Sequence, residues 1–159
     1  MDEKLWKFID ATGEWMSKAY GMPPMFGRVF AWLLVCDPPE QTAAQLAEAL
    51  GASKGSISGA TGMLVRFKMV DRLHVRGERA DRFRVRPEAW DDQLRDQGIE
   101  QARAVLKLGR EALEGAPPTR RARLEELDAF YSWWESRIPA LFDEWQEIKR
   151  TIWSDEREN

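Results

Sequence analysis

The chain has 159 residues, 43% of them hydrophobic and 32% charged, about one ordinary domain by length with apolar surface enough for a core. Its longest apolar run, Val29 to Cys36, is eight residues, where a membrane-spanning helix needs roughly twenty. One cysteine and one histidine exclude an internal disulfide and a zinc-type Cys/His set. A Walker-type loop, a GxGxxG and a convergent set of titratable residues are all missing, so the expectation is no enzyme, no cofactor and no metal.

The N-terminus, Met-Asp-Glu-Lys, lacks an apolar stretch with a small-residue cleavage site, and a cytoplasmic protein without membrane contact is expected. Net charge is −3, from 24 basic and 27 acidic residues, but it is unevenly placed. Residues 52–86 carry nine Lys/Arg against three acids, or +6, which leaves −9 for the remainder. A basic segment on an acidic body points to a polyanion-facing patch.

In chain order, Leu5, Phe8/Ile9, Thr12, Trp15/Met16 and Ala19 recur at three-and-four spacing and predict a helix from about Asp2 to Ala19. Gly21-Met22-Pro23-Pro24 breaks it. A second helix, about Pro24 to Cys36, is apolar nearly all round and reads as buried. Gln41 to Leu50 follows, with Thr42 as N-cap and Gln45 at N3 in a capping-box arrangement. Gly51 suits the turn, and Ser53 caps a fourth helix to about Phe67, with Ile57, Ala60, Leu64 and Phe67 inward. Two short helices joined by a Gly-containing turn form a helix-turn-helix pattern.

The period then switches to two. Strands are predicted at Asp71–Arg76 and Arg82–Arg86, joined by Gly77-Glu78-Arg79-Ala80-Asp81 as a hairpin. Leu73, Val75, Phe83 and Val85 face inward, and Arg72, His74, Arg76, Arg82, Arg84 and Arg86 share the other face. Helix, helix, hairpin is the order of a winged helix-turn-helix. Beyond it a helix of about Pro87 to Leu113 is expected, with Gly98 and Gly109 as weak points. After Gly115-Ala116-Pro117-Pro118 another runs from about Thr119 to Trp153, with Pro139 kinking it. Leu124, Leu127, Tyr131, Trp134, Ile138, Leu141, Trp145, Ile148 and Ile152 alternate at three and four, the signature of a coiled-coil-like seam between two copies. The fold class is therefore mainly α with a small β-hairpin: a winged helix-turn-helix core with long terminal dimerisation helices. The division is 1–20, 21–87 and 88–159.

The strongest functional signal is Ala52-Ser53-Lys54-Gly55-Ser56-Ile57-Ser58-Gly59-Ala60-Thr61-Gly62. Three glycines weaken a helix by about 1 kcal/mol each against alanine. Close approach to another surface is a reason to keep them, because a recognition helix needs small or polar outward residues to sink into the major groove. Ser53, Lys54, Gly55, Ser56, Ser58 and Thr61 form the expected DNA face; an ordinary capped surface helix is the plainer alternative. Like charges on one face of the hairpin repel, and a polyanion removes that repulsion. Arg76, Arg79 and Arg82 are the expected wing contacts, with Thr42 and His74 as further phosphate contacts. Salt bridges to the acidic helices of the same protein are the competing explanation, above all for Arg84 and Arg86. Cys36, beside Asp37 at the end of an apolar helix, is expected to be a packed thiol of raised pKa.

The stretch from Gly21 to Arg86, and most specifically Leu46 to Ser58 (LAEALGASKGSIS), resembles the MarR-type winged-helix regulators and within them the GbsR-like branch. Pro24 stands where the branch is often basic, and Phe67-Lys68-Met69-Val70 where it usually has Trp-Gly-Leu-Val. The resemblance implies that Ser53 to Thr61 is the recognition helix, Arg76 to Arg82 the wing and the terminal helices the dimer interface. It also implies a small-molecule effector between the dimerisation helices and the winged helix. Most of the eight tryptophans suit core or dimer seam, while Trp15, Trp32, Phe130, Trp133 and Trp134 are the residues for such a pocket. An aromatic cage for a quaternary ammonium, in keeping with the branch's choline-type ligands, and a lipophilic slot both fit. The expected function is a homodimeric, sequence-specific double-stranded-DNA-binding regulator, a repressor on an inverted-repeat operator modulated by that ligand. The alternative is a winged-helix protein-interaction module that does not bind DNA.

Overall fold

Asp2 begins the first helix by accepting the Lys4 N–H at 3.4 Å, and Gly21, at φ 66, ends it. The computed structural model describes residues 2–95 and 99–155. In order they form α1 (Glu3–Tyr20), α2 (Pro24–Val35), β1 (Gln41–Thr42), α3 (Ala43–Leu50), α4 (Lys54–Arg66), β2 (Val70–Leu73), β3 (Arg82–Val85), α5 (Ala89–Arg95), α6 (Ile99–Ala112) and α7 (Pro118–Asp155). Two compact units result, Met1–Trp90 and Asp91–Asn159, with the division inside α5. Among the described residues no helix is long and apolar enough to cross a membrane.

The first unit is built around α2, which buries Phe26, Gly27, Val29, Phe30, Ala31 and Leu33. Against it α1 buries Ile9, Gly13 and Met16. The two helices meet at glycines: a Cβ on Gly27 would lie 2.7 Å from the Thr12 carbonyl oxygen and 2.8 Å from Gly13 Cα. One on Gly13 would lie 2.9 Å from the Pro24 carbonyl oxygen. Leu46 and Leu50 of α3, Ile57 and Leu64 of α4, and Met69, Val70 and Phe83 complete this core.

The capping box is present as expected: the Gln45 N–H donates to Thr42 Oγ1 at 3.2 Å, and the Thr42 N–H to Gln45 Oε1 at 2.8 Å. Gly51, at φ 58, turns the chain from α3 toward α4. Phe67 ends α4 and sets its ring edge-on to Phe26 at 5.9 Å between centroids. Lys68 then takes φ 57, the left-handed region that glycine enters freely and other residues rarely do. Met69 and Val70, which follow it, are both buried.

The sheet has three antiparallel strands in the order β1-β3-β2, one more than the expected hairpin. The extra strand is two residues long and pairs Gln41 with Phe83 and Thr42 with Arg82. In the β2–β3 ladder, Val70 faces Val85, Asp71 faces Arg84, Arg72 faces Phe83 and Leu73 faces Arg82. Opposed residues of an antiparallel pair share a face. Arg72 thus lies on the face of Phe83, its guanidinium 5.5 Å from the ring centroid, while Arg82 and Arg84 lie on the other with Leu73 and Asp71. The expected single cationic face is corrected: the register sets even-numbered residues of β2 opposite odd-numbered residues of β3, which parts Arg72 from Arg82 and Arg84, and β2 runs from buried Val70 only to Leu73.

The second unit contains α6 and α7, joined by ion pairs Arg103–Glu135 and Arg110–Asp128. A Cβ on Gly109 would meet the Leu124 side chain at 3.1 Å. The single helix expected from Pro87 to Leu113 is described instead as α5 and α6, and Gly98 lies outside the described residues. Pro139 sits within the unbroken α7. Asp91 ties the start of the unit to α7: its carboxylate accepts from Lys149 Nζ at 2.7 and 2.8 Å, Trp145 Nε1 at 2.9 Å and Gln146 Nε2 at 3.2 Å. Burial opposes the charge, but those three donors prevail and hold the carboxyl below its ordinary range.

Candidate nucleic-acid interface

Helix α4 starts at Ser53, whose hydroxyl accepts the Ser56 N–H at 3.2 Å. Its buried row is Ile57, Ala60, Thr61 and Leu64. The opposite side is exposed at Ser53, Lys54, Gly55, Ser56, Ser58 and Gly59. Nothing lies within 4 Å of where a Cβ would stand on Gly55, Gly59 or Gly62, so no packing inside the chain calls for these glycines. The helix thus offers a low ridge of backbone flanked by hydroxyls and one ammonium. Its first-turn N–H groups and dipole favour an anion at that end.

Thr61, expected on this outward face, is corrected. It is 1% exposed, and its hydroxyl donates to the Ile57 carbonyl at 2.8 Å. Thr42 is exposed enough to reach out, but its hydroxyl serves the α3 cap.

The hairpin between β2 and β3 turns at Gly77, φ 91, and the Glu78 N–H donates to the Val75 carbonyl at 3.0 Å. Its basic side chains are unequal. Arg82 donates from Nε to Glu78 Oε2 at 2.8 Å and from Nη2 to Oε1 at 2.9 Å. That two-bond contact holds the Glu78 carboxyl below its usual range and raises Arg82 above its own. His74 Nδ1 lies 3.1 Å from Asp81 Oδ1, and Arg72 Nε 3.9 Å from Asp81 Oδ2. Arg84 lies 3.5 Å from Glu40 and 3.6 Å from Asp71, and Arg86 4.0 Å from Glu88. Arg84 and Arg86 are therefore held within the protein, but by Glu40, Asp71 and Glu88 of the sheet and its flanking turns and not by the acidic helices of the competing explanation. Arg76 and Arg79 are exposed and, among the described residues, have no ion pair, a state they share with Lys54.

Sequence reasoning passed over the acids of the hairpin. The available signal was spacing: Glu78 stands four before Arg82, and Asp81 occupies the end of the connector opposite His74. Cys36 is half-buried, and burial, with Asp37 beside it, raises its thiol pKa.

The aromatic residues expected around an effector fall in both units. In the first, Trp15 of α1 is 59% exposed and meets Tyr20 edge-on at 6.5 Å, and Trp32 of α2 is half-buried. In the second, Phe130, Trp133 and Trp134 of α7 stand in a row with centroids 6.0 Å apart at each step. Of the seam residues, Leu124, Tyr131, Ile138 and Trp145 are half-buried, whereas Leu127, Leu141 and Ile148 are exposed, as are Phe130, Trp133 and Ile152.

Comparison with known proteins accords with this geometry. Residues 88–148 match a family model for MmpR5-like MarR family transcriptional regulators. Over 134 residues the chain is 34% identical to the HTH-type transcriptional regulator MmpR5 of Mycobacterium tuberculosis (strain ATCC 25618 / H37Rv), covering 83% of this chain and 81% of that protein. It is also similar to a crystal structure described as a transcriptional regulator, with TM-score 0.79 and 31% identity over 91% of this chain and 99% of the other. On that identity and coverage, the chain belongs to the MarR family of transcriptional regulators.

Proposed function

We propose that the protein is a repressor that binds double-stranded DNA sequence-specifically, as a homodimer on an inverted-repeat operator. The observation that carries this reading is the outward side of α4, where Gly55, Gly59 and Gly62 leave open space between Lys54, Ser56 and Ser58. A helix so stripped of bulk lets its backbone approach base edges in a major groove. Arg76 and Arg79, exposed on the hairpin, supply phosphate or minor-groove contacts. The exposed apolar residues of α7, Leu127, Leu141 and Ile148 among them, support a second copy as partner. Two-fold symmetry then sets the recognition helices about 10 bp apart. The aromatic residues Trp15, Trp32, Phe130, Trp133 and Trp134 support a lipophilic or cationic effector. Such a ligand shifts the population between head spacings by its differential affinity.

Fluorescence anisotropy of a labelled duplex from upstream of the protein's own gene, against a shuffled duplex at several salt concentrations, tests the reading. Tight, salt-sensitive binding that prefers the native duplex is expected. A folded dimer that binds neither duplex at low salt overturns it in favour of a protein-interaction module.

A further inference from the structure

All three acids of residues 52–86 are turned onto basic side chains of the hairpin: Asp71 onto Arg84, Glu78 onto Arg82, and Asp81 onto His74 and Arg72. The Glu78–Arg82 contact differs from the rest in being two parallel, well-directed bonds of 2.8 and 2.9 Å. It is also built into the turn, since the Glu78 backbone is fixed by its bond to Val75. Two carboxylate oxygens across a guanidinium reproduce the geometry in which Arg grips a phosphate.

We propose that Glu78 is a specificity-determining residue of the wing, acting as an internal substitute for phosphate that withholds Arg82 from DNA. The inference rests on the DNA-binding reading above. Every phosphate neutralised adds sequence-independent affinity, whereas discrimination comes from base contacts in the grooves. A wing with Arg76, Arg79 and Arg82 all available holds random duplex too well. With Arg82 occupied, Arg76 and Arg79 alone engage the backbone, and the contribution of α4 governs which duplex is bound.

The test measures anisotropy on the upstream duplex and on its shuffled counterpart between about 50 and 200 mM salt, the range over which phosphate contacts show most clearly. Full-length wild type is compared with E78Q, R82A, R79A and E78Q/R82A. Glu78→Gln is expected to steepen the log K against log salt slope by about 0.9, one phosphate's worth. It should tighten binding to the shuffled duplex several-fold at the low-salt end and lower the ratio of native to shuffled affinity. Arg82→Ala leaves the slope at the wild-type value, Arg79→Ala lowers it by about 0.9, and E78Q/R82A returns it to wild type. An E78Q slope equal to wild type, or an R82A loss as large as that of R79A, overturns the proposal while leaving DNA binding intact. Wild type that binds neither duplex defeats the DNA reading itself, and this inference with it.

Discussion

Lys68 holds a left-handed backbone at φ 57 so that the chain leaving α4 can bury Met69 and Val70. For a residue with a Cβ that conformation costs about 1–2 kcal/mol. Lys68→Gly is therefore expected to stabilise the protein by roughly 1 kcal/mol after the added freedom of the unfolded chain is offset. The denaturant midpoint should rise at unchanged slope; a lower midpoint counts against the account. The glycines fall into two opposite kinds. Gly27→Ala puts a methyl 2.7 Å from the Thr12 carbonyl oxygen and should destabilise by about 1–3 kcal/mol. Gly59→Ala enters open space and should stabilise by up to about 1 kcal/mol while weakening DNA binding. Sequence alone cannot sort them, because each is a glycine inside a helical pattern. Thr61 could have been read correctly: with Ile57, Ala60 and Leu64 it completes an i, i+3, i+4, i+7 row that is buried throughout.

Among the elements, α3 and α4 were legible because their determinants are local. Thr42 and Gln45 close one cap, Gly51 the turn and Ser53 the next cap, all within a few residues of what they stabilise. The sheet was less so. β1 is too short to show a period, and its partner β3 lies some forty residues on. The alternation of the wing was visible, but the register was not, and the register separates Arg72 from Arg82. At the start of the second unit, Asp91 is fastened to α7 by its three donors. The folded pKa of Asp91 is lowered, so its contribution is complete above the ordinary aspartate value of about 3.9 and is lost as pH falls through the folded value. Asp91→Asn is expected to cost roughly 1.5–3 kcal/mol near pH 6, the worth of hydrogen bonds to a charged group. The gap from wild type should narrow as pH falls below the ordinary aspartate value of about 3.9. Thermal unfolding of both proteins across that range checks it, and a gap independent of pH would exclude the ionised carboxylate as its source.

For the molecule as a whole, the heptad row of α7 divides in two. Leu124, Tyr131, Ile138 and Trp145 are half-buried, while Leu127, Leu141, Ile148 and Ile152 face solvent. Apolar residues repeated along one helix in this way suit association of two copies. Leu141→Glu is expected to convert the protein to a monomer in sedimentation equilibrium. On the proposed inverted-repeat operator it should also reduce affinity at least tenfold, because the two half-sites would no longer be bound as one unit. An unchanged molar mass would place the dimer contact elsewhere.

What the sequence by itself determined is whatever depends on neighbours along the chain: caps, turns, the switch from helical to strand period, the basic segment and the family resemblance. These are encoded at separations of three or four residues, where backbone geometry converts spacing directly into facing. The tertiary structure decided what depends on partners far apart in sequence or on a one-residue choice of register. It set Gly13 against Gly27, gave Asp91 its three donors on α7, and spread the arginines of the wing over two faces. It also selected the arginines free to meet a polyanion. Charge counting sees nine cations in one segment, but only folded geometry shows which of them already hold a carboxylate.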